Sequence, residues 1–258
     1  MQLWENTPGL CEEVPQITYY PPASPAGDGA VVIFPGGGYQ KRAEHEGKGY
    51  AEFLAANGVH AFVVDYRVAP HRYPLPLLDA RRGVRYVRAH AAEYGIDPDK
   101  VAVMGSSAGG HLAAITATSS EPISLEGVDE MDILSARPNA QILCYPVILP
   151  PSDPASHTGS YHNLLGGRDE KGEQVTNPVA HVSVDTPPAF IWHTAEDPGV
   201  SVCNSYAYAT ALRQAGVPVE MHIFPYGHHG LGLAEANPHV SQWSGLLLHW
   251  LRLMGWMK

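Results

Sequence analysis

The run Gly105-Ser106-Ser107-Ala108-Gly109 sets a serine alcohol between glycines two residues before and two after it. Upstream, Lys100 to Met104 reads as a short apolar strand; downstream, Ala108, Leu112 and Ile115 recur at helical spacing. A strand that runs into Gly-x-Ser-x-Gly and then into a helix makes a turn too tight for side chains on either side of the serine. The hydroxyl is pushed above the strand end, and the helix turns its N-terminus toward any negative charge forming there. Centring the motif on Ser106 would put Met104 where the turn needs a glycine. Ser107 is therefore the candidate nucleophile.

A serine alcohol is nearly inert at neutral pH, so it needs a base, and the base needs an orienting acid. Where both come from later strand ends of a doubly wound sheet, the chain order is Ser, Asp or Glu, His. Asp197 follows the apolar run Phe190-Ile191-Trp192, and His229 follows Val219 to Phe224. Taken alone, Asp197 reads as a turn or helix-capping aspartate and His229 as a surface loop histidine; their order and strand-end positions together make them candidates. Glu196 and His228 are the adjacent rivals. Asp197 is preferred because a shorter carboxylate suits close approach to imidazole and Asp-Pro favours a turn, His229 because Gly230 lets the backbone bend beside it.

An acyl-transfer site also needs two or more backbone N–H groups for the oxyanion. Ala108, next to the serine, supplies one. Pro35-Gly36-Gly37-Gly38-Tyr39 directly after the strand Val31 to Phe34 supplies the other, with Gly37 and Gly38 as candidates. A phosphate-binding loop does not fit, for want of a Gly-Lys-Ser/Thr ending. There are fourteen histidines but no His-Glu-x-x-His and no Cys-x-x-Cys, so the expectation is no catalytic metal and no cofactor.

The positioning elements read as alternating strands and helices from Ala30 onward, an α/β chain with a mostly parallel sheet covered on both faces. One helix places Tyr50, Phe53, Leu54 and Asn57 on a face and stops at Gly58. A second carries the stripe Leu77, Ala80, Val84, Val87 and Ala91, with Arg81, Arg82, Arg85 and Arg88 expected on a solvated side. The last helix has Trp243, Leu246, Leu247, Trp250, Leu251 and Met254 on one face. The 258 residues suit a single domain over residues 1–258, and the irregular stretch of about residues 150–185 is long enough only for a small cap. A net charge of −10 argues against nucleic acid or an anionic membrane as partner. No apolar run approaches the ~20 residues of a membrane span, and no signal peptide is visible. Cys11, Cys144 and Cys203 form an odd, scattered set expected to be reduced and structural, and the simplest location is the cytoplasm. The oligomeric state cannot be read from these features.

Beside these features, five runs resemble a known family: Phe34 to Tyr39, Asp65-Tyr66-Arg67-Val68-Ala69-Pro70, Met104 to Ala113, Thr194 to Asp197, and His229-Gly230-Leu231-Gly232-Leu233. Together they are similar to small bacterial α/β-hydrolase esterases found beside xylanases, acetylxylan esterases of the hormone-sensitive-lipase-like group. The similarity spans about Ala30 to Trp250. It implies the α/β-hydrolase fold, the triad Ser107, Asp197 and His229, and an acetyl or other short acyl ester on a plant polysaccharide fragment. Lipases of the broader group carry a longer N-terminal cap segment and a histidine where this chain has Pro35, which points away from lipid substrates. The expected activity is hydrolysis of small-molecule or oligosaccharide esters through an acyl-enzyme. A general short-chain carboxylesterase, a feruloyl esterase and, further off, an amidase or peptidase are the enzymatic alternatives; a hydrolase-fold binding module is the non-enzymatic one.

Overall fold

Val31 to Phe34 and Val101 to Met104 are continuous apolar runs rather than alternating ones because both faces of their sheet are covered. The computed structural model describes residues 1–9, 14–23, 27–119 and 129–257. Its strands are β1 (Gln16–Tyr20), β2 (Ala30–Phe34), β3 (His60–Asp65), β4 (Val101–Ser106), β5 (Ala140–Cys144), β6 (Ala189–Thr194) and β7 (Val219–Phe224). They form one sheet in the order β1-β3-β2-β4-β5-β6-β7. β1 runs antiparallel to β3 and every other pairing is parallel. β1 falls before the expected alternation, and its Gln16 and Thr18 hide it from an apolar-run search.

The helices are α1 (Glu44–Ala56), α2 (Leu75–Ala89), α3 (Ala91–Tyr94), α4 (Ala108–Thr118), α5 (Thr158–Leu165), α6 (Glu170–Val175), α7 (Cys203–Gln214) and α8 (Gln242–Leu253). Val32 and Phe34 of β2 belong to one apolar core with residues of α2, α4 and α7; Val31 and Ile33 belong to another, on the opposite face, with residues of α1 and α8. Two cores thus clamp the sheet. No helix among the described residues is long and apolar enough to cross a membrane.

The arginines of α2 are a correction. Arg81, Arg82 and Arg85 are buried, not solvated: residues 129–134 lie across Arg82 and Arg85, and Arg81 reaches Ser119 at the end of α4. Arg82 grips the Asp129 carboxylate with both terminal nitrogens, Arg85 donates to Leu134 O at 2.9 Å, and Arg81 donates to Ser119 Oγ at 2.7 Å. Half-buried Arg88 donates to Asn139 Oδ1 at 2.6 Å. Helical charge periodicity marks a polar side, and a cover of carboxylates and carbonyls satisfies that side as water would.

Beneath the loop after β3, Arg67 and Asp79 form a fully buried pair with Nη2–Oδ1 2.7 Å and Nε–Oδ2 2.8 Å. Trp4 Nε1 donates to Asp79 at 2.9 Å and Arg67 Nη1 to Pro8 O at 2.6 Å, clipping the N-terminal residues to α2. Burial raises the Asp79 carboxyl above its usual range despite the guanidinium.

Residues 150–185 are more regular than expected. They hold α5, α6 and a 3-10 turn at Pro178–His181, whose N-terminal N–H groups are accepted by His157, Asp169 and Asn177. Among the cysteines, Cys144 is buried on β5, where burial pushes its thiol up to about 12, whereas Cys203 is exposed at the start of α7. Cys11 lies outside the described residues.

Candidate active site

Parallel pairing brings the C-terminal ends of β2, β4, β6 and β7 to one edge of the sheet, and each expected site residue follows one of them. Ser107 sits between β4 and α4 at φ 54°, ψ −119°, a backbone conformation unfavourable for a residue with a side chain. The turn is held closed by absent side chains. A Cβ on Gly105 would strike the Gly109 carbonyl, and one on Gly109 the Phe34 carbonyl. The Ser107 backbone is fixed by Ser107 N to Cys144 O and Val147 N to Ser107 O, both 3.0 Å.

Ser107 Oγ lies 2.8 Å from His229 Nε2, and His229 Nδ1 lies 2.7 Å from Asp197 Oδ2. The carboxylate assigns the tautomer: Nδ1–H donates to it, which leaves Nε2 to accept from the serine hydroxyl. Asp197 also makes the turn suggested by its bland reading, since its Oδ1 accepts from Gly199 N at 2.8 Å and Val200 N at 3.0 Å. Burial drives the Asp197 pKa upward, but hydrogen bonds from His193, His229 and Val200 N–H outweigh it and hold the carboxyl well below its usual range.

The rivals point elsewhere. Glu196 Oε1 accepts from Gly227 N at 3.0 Å and props the loop after β7. His228 Nδ1 donates to its neighbour's carbonyl at 2.7 Å, with the side chain exposed. Ser106 Oγ is buried, 3.0 Å from Tyr50 OH.

The glycine loop passes against the serine, for a Cβ on Gly36 would lie 3.2 Å from Ser107 Cβ. Gly37 (φ 128°) and Gly38 (φ 66°) take backbone conformations that favour glycine. The loop carbonyls are occupied: Gly37 O accepts from Gln40 N and Lys41 N at 3.1 and 3.2 Å, and Gly38 O from Asn163 Nδ2 at 2.8 Å. Among the described residues, the N–H groups of Gly37, Gly38 and Ala108 have no acceptor.

Several residues around the site escaped the sequence reading. His193 Nδ1 accepts from Ser205 Oγ at 2.8 Å, and its Nε2–H is shared between Val200 O at 2.9 Å and Asp197 Oδ2 at 3.3 Å. His111 donates from Nε2 to Thr176 O at 2.8 Å, so its Nδ1 accepts from Tyr39 OH, also 2.8 Å; burial lowers its pKa to about 4. From residues 150–185, His157 bonds Ser160 Oγ at 2.9 Å, and burial together with the neighbouring His229 lowers its pKa. His111 and its partner Tyr39 lie inside runs already singled out, but nothing in the spacing shows that they bond each other; the polar cluster His157-Thr158-Gly159-Ser160 could also have drawn attention. Among the described residues, no group of three or more His, Cys, Asp or Glu side chains is placed to hold a metal ion.

The sequence profile of the BD-FAE family matches residues 18–212. An acetylxylan esterase from Xylanibacter ruminicola is 35% identical over 243 residues, covering 92% of this chain and 48% of the relative. Endo-1,4-beta-xylanase B from Butyrivibrio fibrisolvens is 38% identical over 223 residues, covering 83% of this chain and 34% of the relative. The chain thus spans about half or less of the length of these curated relatives. Among solved structures, an acetyl ester-xyloside bifunctional hydrolase from Caldicellulosiruptor lactoaceticus is 40% identical with a TM-score of 0.93, covering 100% of this chain and 97% of its own.

Proposed function

We propose that this chain, which belongs to the BD-FAE family, is a serine carboxylesterase that removes acetyl or other short acyl groups from xylo-oligosaccharide-type esters. The observation that carries the proposal is the unbroken hydrogen-bonded line from Ser107 Oγ through His229 to Asp197, at 2.8 and 2.7 Å. In this reading His229 Nε2 takes the hydroxyl proton as Oγ attacks the ester carbonyl carbon. The N–H groups of Gly37, Gly38 and Ala108 stabilise the oxyanion. His229 returns its proton to the departing sugar oxygen, leaving an acyl-serine. A water then gives a proton to His229 as it attacks the acyl carbon, and His229 passes that proton to Ser107 Oγ as the intermediate expels it, releasing the carboxylic acid and restoring the serine hydroxyl and the neutral imidazole. Asp197 stabilises the imidazolium throughout.

The substrate class is supported by two things. The relatives named for acetylxylan and acetyl ester-xyloside chemistry supply one. The cap supplies the other: short helices too small to roof a long acyl channel, with His157, Ser160 and Asn163 giving the site polar surroundings suited to sugar hydroxyls.

The test is kcat/KM on nitrophenyl acetate, butyrate and octanoate, with acetate release from acetylated xylo-, manno- and pecto-oligosaccharides. A methylene buried in a true acyl channel contributes about 0.8 kcal/mol, roughly fourfold. We expect a fall beyond butyrate and release from the xylo series. A maximum at octanoate would overturn the carbohydrate assignment. Cleavage of a feruloyl ester or an anilide in preference to acetate would move it to those alternatives.

A further inference from the structure

We infer that Glu46 is a positioning residue that braces the oxyanion loop and the His229 loop from beneath, an inference resting on the esterase reading above. Glu46 lies in the first turn of α1 and is 3% exposed. No lysine or arginine among the described residues pairs with it; the basic side chain beside it is the exposed His45, whose Nε2 lies 3.8 Å from Oε1. Burying a carboxylate without a lysine or arginine is costly unless hydrogen bonds replace its water, and an apolar residue would serve packing better. Its hydrogen bonds lead to the candidate machinery. Oε2 accepts from Gly36 N at 2.9 Å, and Oε1 from Tyr145 OH at 2.7 Å.

The first bond fixes the glycine loop. Gly36 N is tied to Glu46 and Gly36 O accepts from Ala43 N at 2.9 Å, so the peptide planes leading into Gly37 and Gly38 have little freedom to turn. Oxyanion donors act by being fixed in advance of the charge, so a brace immediately before them bears on the transition state more than on substrate binding.

The second bond fixes the base. Tyr145 follows β5 at φ 37°, a strained position for a side-chain-bearing residue. Its hydroxyl donates to Glu46 and accepts from Gly232 N at 2.9 Å, three residues past His229. Its ring meets the His229 ring edge-on, centroids 5.1 Å apart. Beside Glu46, His45 Nε2 donates to Gly230 O at 3.0 Å. Tyr50 OH bridges Tyr145 OH (3.1 Å) and Ser106 Oγ (3.0 Å), extending the network to the residue preceding the nucleophile. One buried acid therefore joins the strand ends that carry the oxyanion donors, the nucleophile and the base.

Glu46→Gln can keep this circuit: the amide oxygen accepts from Gly36 N, while the amide N–H donates to a Tyr145 hydroxyl reoriented toward Tyr50. Glu46→Ala cannot. With nitrophenyl acetate as substrate, we expect Glu46→Ala to lower kcat about 100-fold with KM changed by less than about threefold, and Glu46→Gln to stay within about threefold of the parent. Inhibition by methylboronic acid, whose serine adduct is tetrahedral, should weaken in step with kcat/KM in Glu46→Ala; a loss of packing alone would not produce that parallel. Tyr145→Phe, which keeps the ring and deletes the hydroxyl, provides the result if Glu46→Ala does not fold. It should lower kcat and weaken boronate inhibition together. The inference is overturned if folded Glu46→Ala keeps its kcat or loses only KM, if Glu46→Gln is as impaired as Glu46→Ala, or, where Glu46→Ala does not fold, if Tyr145→Phe is unimpaired. Turnover by the parent separates the two readings: an inactive parent refutes the esterase, while an active parent with an indifferent Glu46→Ala refutes the brace.

Discussion

Acidification should destabilise this protein partly through His111, beginning at a pH above the range in which ordinary carboxylates are protonated. The imidazole lies in the core between Tyr39 OH and Thr176 O, and burial lowers its pKa from the ordinary 6.5 to about 4. Between those two values the unfolded chain holds a proton that the folded chain refuses, so stability rises with pH there. The contribution is complete above the unfolded pKa and is lost as pH falls toward the folded one. The two values set the full loss at about 3 kcal/mol, most of it falling between about pH 7 and about pH 4.5. The perturbation is His111→Gln, whose amide can donate to Thr176 O and accept from Tyr39 OH without titrating. Urea unfolding followed by tryptophan fluorescence at both pH values gives ΔG for each protein. Other titrating groups, including the lowered His60 and His157, act in both proteins and cancel in the difference. We expect the parent to lose about 2–3 kcal/mol more than the variant. Parallel losses, or a proton resonance of His111 that titrates near its ordinary value, would refute the reasoning.

Two further outcomes follow from the geometry. Ser107→Ala should lower kcat by roughly 10³–10⁶-fold with folding intact and abolish labelling by a fluorophosphonate, while Ser106→Ala, whose hydroxyl faces Tyr50 in the core, should be much milder; the reverse ranking in steady-state kinetics would unseat Ser107. Asp79→Ala strands the buried Arg67 guanidinium and should cost about 3–5 kcal/mol in urea unfolding, whereas Arg67→Met with Asp79→Leu should recover most of it; a single-variant loss below about 1 kcal/mol would contradict the burial argument.

What was legible in the sequence is what depends on near neighbours along the chain. Gly105 must be small because the turn folds it onto the Gly109 backbone, so the turn around Ser107 announces itself locally, although Gly109 owes its own lack of a side chain to the distant Phe34 carbonyl. The central strands and α8 are equally plain, since their apolar residues face cores on known periods. The juxtaposition of Ser107, Asp197 and His229 was inferable only because parallel strands share an edge. Long-range polar pairing leaves no such trace. The α2 arginines look solvated until Asp129 and Leu134 arrive over them, some fifty residues later. Glu46 reads as an ordinary first-turn acid of a helix until its hydrogen bond with Tyr145, 99 residues away, places it in the core. The helices of residues 150–185 begin at side-chain caps from His157, Asp169 and Asn177, with too few apolar residues between to show a period.

The segment of residues 150–185, proposed above as a cap, is fastened at several points. Asn163 holds Gly38 O, Thr176 O is held by His111, Tyr161 OH donates to Ile148 O at 3.0 Å, and Asn204 binds Ile148 N, Leu149 N and Ala155 O. The conformational entropy of ordering this segment is therefore surrendered once, during folding, and not again with each substrate. A roof of this kind works as a template rather than a jaw: it sorts esters by what it physically excludes and adds no closing step in which the right alcohol assembles the site. Steric sorting of that sort separates near-identical groups by only about 10- to 200-fold. Under the proposed activity, a roof of this kind would distinguish neighbouring acetyl positions only weakly.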